Sequence, residues 1–143
     1  MRFWDSSALV PLLVEEQSTA EMRAQYAKDD ELVVWWGTEV ECTSAITRRL
    51  HTGALASGLA DDAALRLIHL ATSWTEIGPS QVLRERALSL LRTHDLRAAD
   101  ALQLAAAVAA AEGRPPTLTF LSLDGRLNRA ARVEGFRVPD PSV

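Results

Sequence analysis

Arg2-Phe3-Trp4-Asp5-Ser6-Ser7-Ala8-Leu9-Val10-Pro11-Leu12-Leu13-Val14 is the stretch that decides the fold class. Its first residues are bulky and read as a short buried strand ending at Asp5. Ser6 and Ser7 then supply capping hydroxyls for a helix whose apolar residues run from Ala8 to Val14. A strand passing through a tight turn into a helix opens an α/β protein. Pro11 falls one turn into that helix, where its missing N–H removes a hydrogen bond and is expected to bend the axis.

Working outward, Ser18-x-x-Glu21 has the spacing of a capping box and predicts a second helix fading near Lys28-Asp29-Asp30. Leu32 to Trp36 is β-branched and aromatic, hence a second strand. Gly37-Thr38 starts a helix to about Leu50, with Gly53 placed to stop it. Ser57 to Trp74 carries Leu59, Ala63, Leu67, Leu70 and Ala71 at helical spacing. A short extended piece at Thr75-Glu76-Ile77 precedes a helix from Pro79-Ser80 through Leu91. The alanine-rich run Ala98 to Glu112 is the next helix, stopped by Gly113 and Pro115-Pro116. Thr117 to Leu121 reads as a strand, Gly125 to Val133 as a helix, and Phe136-Arg137-Val138 as a last short strand before a loose tail. Strands alternating with helices predict a parallel sheet, and residues 1–143 read as one domain without repeat or linker.

Composition excludes several classes. With 143 residues, 48% of them hydrophobic and 24% charged, the chain has the make-up of a compact single-core protein. Ala98 to Ala111 is interrupted by Asp100 and Gln103, so it falls short of a membrane span. The N-terminus lacks the uninterrupted apolar region of a signal peptide, which makes a cytoplasmic location the expectation. Cys42 is the single cysteine, so neither an internal disulfide nor a thiolate zinc site is available, and it reads as a small buried hydrophobe. A net charge of −4 argues against a protein that coats nucleic acid, although the basic residues are arginines apart from Lys28 and fall in groups such as Arg48-Arg49 and Arg126, Arg129, Arg132.

Asp5, Glu41, Asp100 and Asp124 each stand at the edge of an apolar segment. Asp5 and Asp124 end predicted strands, where open parallel sheets bind their ligands. Glu41 and Asp100 lie in the first turns of helices able to lean over the same edge. Each has a local explanation too: Asp5 and Asp124 as helix caps, Asp100 as a charge offsetting a helix dipole, and Glu41 as the far end of a Thr38-x-x-Glu41 capping box. Gathered together, four carboxylates would repel by about 4 kcal/mol per pair at 4 Å and an effective dielectric near 20. A hard dication relieves that repulsion, and all-oxygen ligands point to magnesium or manganese.

The local sequences narrow the choice. Asp5-Ser6-Ser7-Ala8-Leu9-Val10, Glu41-Cys42-Thr43-Ser44-Ala45-Ile46 with Arg48-Arg49, Leu96-Arg97-Ala98-Ala99-Asp100-Ala101-Leu102-Gln103-Leu104-Ala105, and Ser122-Leu123-Asp124-Gly125-Arg126-Leu127 together resemble the PIN-domain family, and VapC-type toxins most closely. All four blocks occur in order and span essentially the whole chain. The resemblance implies a three-layer α/β/α sandwich around a parallel sheet of four to five strands. It implies a Mg2+- or Mn2+-dependent endoribonuclease, silenced by a VapB-type antitoxin and expected to be a homodimer. By motif position it makes Asp5, Glu41, Asp100 and Asp124 the metal-site acids, with Ser7 as the supporting hydroxyl and Ser122 at a position where the family carries Thr or Ser. Two departures are Pro11 and Gln103, the latter at a position often held by histidine.

Magnesium keeps several waters, so Asp5 with Asp100 or Asp124 is expected to bind directly and Glu41 to position a water. Arg48, Arg49, Arg97 and Arg126 are candidate phosphate contacts. Glu39 points to another side of its helix and reads as a rim acid. His51, His69 and His94 lack partner spacing, and the tryptophans read as core or subunit packing. A haloacid-dehalogenase-like phosphatase is the enzyme alternative, but it needs a second acid where Ser7 stands. A noncatalytic metal or nucleic-acid binding module is the other, and a receiver-like version would need a late lysine that this chain lacks.

Overall fold

The computed structural model describes residues 1–140. In chain order the elements are β1 (Arg2–Trp4), α1 (Ser6–Leu13), α2 (Thr19–Lys28), β2 (Leu32–Trp35), α3 (Thr38–His51), α4 (Ser57–Ala71), β3 (Thr75–Ile77), α5 (Gln81–Thr93), α6 (Ala98–Ala110), a 3-10 turn (Pro115–Thr117), β4 (Thr119–Leu121) and α7 (Gly125–Val133). The four strands form one parallel sheet in the order β3-β2-β1-β4, with Phe3 in register with Val33 on one side and Phe120 on the other.

Side-chain alternation along these short strands divides the interior into two compartments, one on each face of the sheet. Phe3, Val33, Trp35 and Phe120 pack with α5, α6 and α7. Trp4, Leu32, Val34 and Leu121 pack with α1 through α4. The run Leu32 to Trp35 is apolar and buried throughout, as a central strand of a parallel sheet covered on both faces requires, and β1 and β4 bury Phe3-Trp4 and Phe120-Leu121, whereas edge strand β3 is largely exposed. The result is the expected α/β/α sandwich. Phe3 stacks on Phe120 with ring centroids 5.5 Å apart, and Phe136 closes the other side of Phe120 at 5.7 Å.

Helix ends follow local chemistry, with several departures from the sequence reading. Gly53 and Gly113, at φ 78° and 74°, supply the left-handed residues that follow α3 and α6. Helix α1 continues past Pro11 to Leu13, and the Pro11 carbonyl accepts from the Thr19 hydroxyl at 2.8 Å. The capping box expected at Ser18 does not form. Ser18 gives no side-chain cap, and the buried Thr19 hydroxyl accepts instead from the Glu16 N–H at 2.8 Å. The box expected from Thr38 to Glu41 is likewise absent, because Thr38 already lies inside α3 and is fully buried. Strand β2 stops one residue early and leaves Trp36 56% exposed, so that ring is not core. Pro115 and Pro116 force a 3-10 turn at the start of the predicted fourth strand. The predicted fifth strand shrinks to a single parallel bridge between Arg137 and Thr119. The tail expected after Val138 lies partly outside the described residues. Among the described residues no helix is long and apolar enough to cross a membrane.

Candidate functional site

From β1 the chain steps outward through β2 to β3, and it returns to place β4 on the opposite side of β1. The switch point of the sheet is therefore between the carboxyl ends of β1 and β4, where a crevice opens. Asp5 follows β1 and Ser122 follows β4, joined through the Asp5 N–H donating to the Leu121 carbonyl at 2.9 Å.

Asp5 is only 4% exposed. Its Oδ2 accepts from the Ser7 hydroxyl, from the Ser122 hydroxyl at 2.9 Å and from the Ser7 N–H at 3.3 Å. Ser7 Oγ in turn accepts from the Leu123 N–H at 2.9 Å, and Ser122 Oγ from the Asp124 N–H at 3.0 Å. Each hydroxyl has one proton, and both are directed to Asp5. That assignment leaves Ser7 and Ser122, 3.1 Å apart, in contact without a further bond of their own. Among the described residues Asp5 Oδ1 accepts nothing. One oxygen is tethered and the other is left for a ligand.

Asp124 caps α7, its Oδ1 accepting from the Arg126 and Leu127 N–H groups at 2.9 and 3.0 Å. Asp100 stands in the first turn of α6 and accepts from the Arg97 N–H at 3.3 Å. Both local roles foreseen for these acids are real. They also orient the carboxylates along one groove, which Asp100 and Asp124 line together.

Glu41 is held by something the sequence reading noted only as a departure. Gln103 is fully buried on α6, three residues past Asp100 and so on the same helix face. Its Nε2 donates to Glu41 Oε2 at 2.7 Å and to Thr38 Oγ1 at 3.1 Å, while Oε1 is buried without a partner among the described residues. Ser6 Oγ adds a long contact to the other Glu41 oxygen at 3.5 Å. The i to i+3 spacing from Asp100 was the signal that could have identified Gln103 as part of the site.

Burial pushes the Asp5 carboxyl above its usual range, against the pull of Ser7 and Ser122, and the Asp100 charge pushes the same way. Glu41 is pushed up to about 7, first by burial and then by Asp5 and Asp100, with the Gln103 bond opposing. Asp100 is raised by burial and by Asp124, with the Arg97 N–H opposing. Asp5, Glu41 and Asp100 thus each feel the charge of another of the four acids. Among the described residues none of them belongs to an ion pair. No three Asp, Glu, His or Cys side chains there form a closed metal-binding group either. That donor set fits magnesium or manganese, which take one or two carboxylates and keep waters for the remaining positions. Cys42 is buried, with its thiol pushed up to about 12, and has no part in this chemistry.

A pH dependence follows. Glu41 titrates near 4.5 when unfolded and about 7 when folded, so between those values the folded chain holds a proton the unfolded chain has released. Its contribution to metal-free stability is complete below about pH 4.5 and lost as pH rises through about 7. Urea midpoints in chelator should therefore fall from about pH 5 to 8, and Glu41→Gln should flatten the slope. An equally steep profile in that variant refutes the assignment.

Of the basic candidates, Arg49 is tied to Glu16 at 2.7 Å and to the Ala45 carbonyl at 3.0 Å. Arg48 and Arg97 are exposed, and Arg126 only loosely meets Asp95 at 3.7 Å. Glu39 is exposed, as are His51 and His69, while His94 bonds Glu134 at 2.8 Å away from the acids.

The family model of the PIN domain matches residues 2–133. Among solved structures, the crystal structure of VapC20 from Mycobacterium tuberculosis, a Sarcin-Ricin loop cleaving toxin, matches with a TM-score of 0.69 and 20% sequence identity, covering 95% of this chain and 96% of that one. At that identity the likeness is one of fold. No curated protein matches the chain.

Proposed function

Since the chain belongs to the PIN-domain family, we propose that it is a Mg2+- or Mn2+-dependent endoribonuclease, the toxin of a VapBC-type pair. It cuts single-stranded or loop RNA by hydrolysis, works as a homodimer and is silenced by a VapB-type antitoxin. One observation carries the reading. The charges of Asp5 and Asp100 raise the cost of ionising Glu41, Asp100 raises that of Asp5 and Asp124 that of Asp100, all at the switch point of a parallel sheet, and among the described residues no ion pair neutralises any of the four.

When bound there, a divalent ion supplies a water of lowered pKa and neutralises charge on the phosphodiester. The chain's own residues do the rest. Ser7 and Ser122 fix one oxygen of Asp5 and leave the other for the ion. Asp100 and Asp124 hold the far side of the groove, their angles set by the helix starts they cap. Gln103 aims Glu41, whose carboxylate orients a water in line with the scissile P–O bond. Water attack leaves a 5′-phosphate and a 3′-hydroxyl, and no protein nucleophile is needed. Ser7, standing where a phosphatase of the haloacid-dehalogenase type needs its second acid, has its proton committed to Asp5.

The test is cleavage of labelled RNAs, beginning with a sarcin-ricin loop oligonucleotide of the kind named for VapC20. Cutting should appear with Mn2+ or Mg2+, vanish with EDTA and return with excess metal. Cutting that persists in EDTA, or no cutting of any RNA with either metal, defeats the proposal.

A further inference from the structure

Two grooves flank the acids, and they differ in charge. On the α3 side the lining includes Glu41, Arg48, Arg49 and Glu16. There Arg49 is consumed by Glu16, which leaves Arg48 as the groove's one arginine without a side-chain hydrogen bond or ion pair among the described residues. On the other side an open groove of about 560 Å³ lies between α6 and α7, lined by Arg97, Asp100, Asp124, Gly125, Arg126 and Arg129. Its two aspartates are among the acids assigned to the ion, and none of its three arginines forms an ion pair with them among the described residues. Arg129 makes no hydrogen bond or ion pair among the described residues, and neither does the Arg97 guanidinium. Arg126 is 57% exposed and forms one loose ion pair among the described residues, with the open Asp95 at 3.7 Å, while its charge and that of Arg97 also act on Asp100. Arg129 folds back over the first turn of α7, its Nη1 lying 3.5 Å from the point a Cβ on Gly125 would occupy, in the same groove that Asp124 lines.

Once a dication has taken the aspartates, this flank holds three positive charges at the lip of the cutting site, whereas in the α3 groove Arg49 is spent on Glu16 and Arg48 alone remains to meet a phosphate. Arginine forks are suited to phosphate oxygens and lose little entropy on binding them. We infer that the RNA backbone next to the scissile bond runs across the α6–α7 flank, its phosphates held by Arg97, Arg126 and Arg129, and not across α3. The inference rests on the nuclease reading above and adds a direction to it. Arg129 had no place among the candidate phosphate contacts read from the sequence, and Arg49 loses its place.

The experiment measures binding of a short fluorescein-labelled single-stranded RNA in an Asp5→Asn background as salt is varied, together with KM and kcat in the Asp5 parent. Replacing Arg97, Arg126 and Arg129 together by Gln should flatten the log-log salt slope by about 2, three contacts at roughly 0.7 each for a single strand. KM should rise while kcat holds. Lysines at the same positions should restore the slope, because they keep the charge. Circular dichroism melts of these exposed-site variants should match the parent. An unchanged slope and KM in the triple variant, or a loss carried by Arg48→Gln instead, overturns the inference while leaving the nuclease reading intact. A parent that cuts no RNA with either metal defeats both.

Discussion

Asp5→Asn is expected to lower metal-dependent RNA cleavage by about a thousandfold or more, a loss of about 4 kcal/mol in transition-state stabilisation, while the protein stays folded. Asparagine has the shape of aspartate, and its carbonyl oxygen can still accept from the Ser7 and Ser122 hydroxyls that now meet Oδ2. What disappears is the anion. Because burial already disfavours the charged form of Asp5, removing that charge should leave the metal-free melting temperature equal to or above that of the parent. The signature is thus a split: activity collapses, stability does not, and the stabilisation that Mn2+ is expected to give the parent shrinks. Single-turnover cleavage and melts with and without Mn2+ measure it. Near-parental activity in a folded Asp5→Asn protein removes Asp5 from the site.

The second large effect concerns stability. Phe120 is fully buried at the centre of β4, between Phe3 at 5.5 Å and Phe136 at 5.7 Å. Phe120→Ala removes the middle ring of that row and leaves a cavity bounded by strand backbone, which cannot collapse to fill it. A cost of about 3–5 kcal/mol is expected, read as a lowered urea midpoint at unchanged m-value. A loss below about 1 kcal/mol would mean that the row does not bear on stability. Since β4 leads directly into Ser122, the variant should also lose activity at temperatures where the parent is still folded.

Much of this architecture was legible because its signals are local. Residues 2–14 carry strand, turn and helix in immediate succession, and the acids stand where strands end or helices begin. The PIN-domain likeness was legible for the same reason, its four blocks being contiguous. What escaped were contacts between distant segments. Thr38 and Glu41 have capping-box spacing, yet Gln103, 62 residues further on, captures the Glu41 carboxylate instead. Ser18 and Glu21 match the same template, but the buried Thr19 hydroxyl bonds Glu16, Pro11 and Val14 at the start of α2. Phe136 to Val138 alternates like a strand, but only one residue finds a bridge before Pro139 closes off further donation. Nor could any spacing rule reveal that Glu16 takes Arg49 while Arg129 has no pair among the described residues.

The split of the apolar interior has a mechanical consequence. Phe3 and Trp4, adjacent in β1, are anchored in opposite compartments immediately before Asp5. A force that pries away either helical layer, such as the docking of another chain, still finds that strand gripped from behind. The carboxylate at its end keeps its position through deformations that would displace a residue hung on a loop.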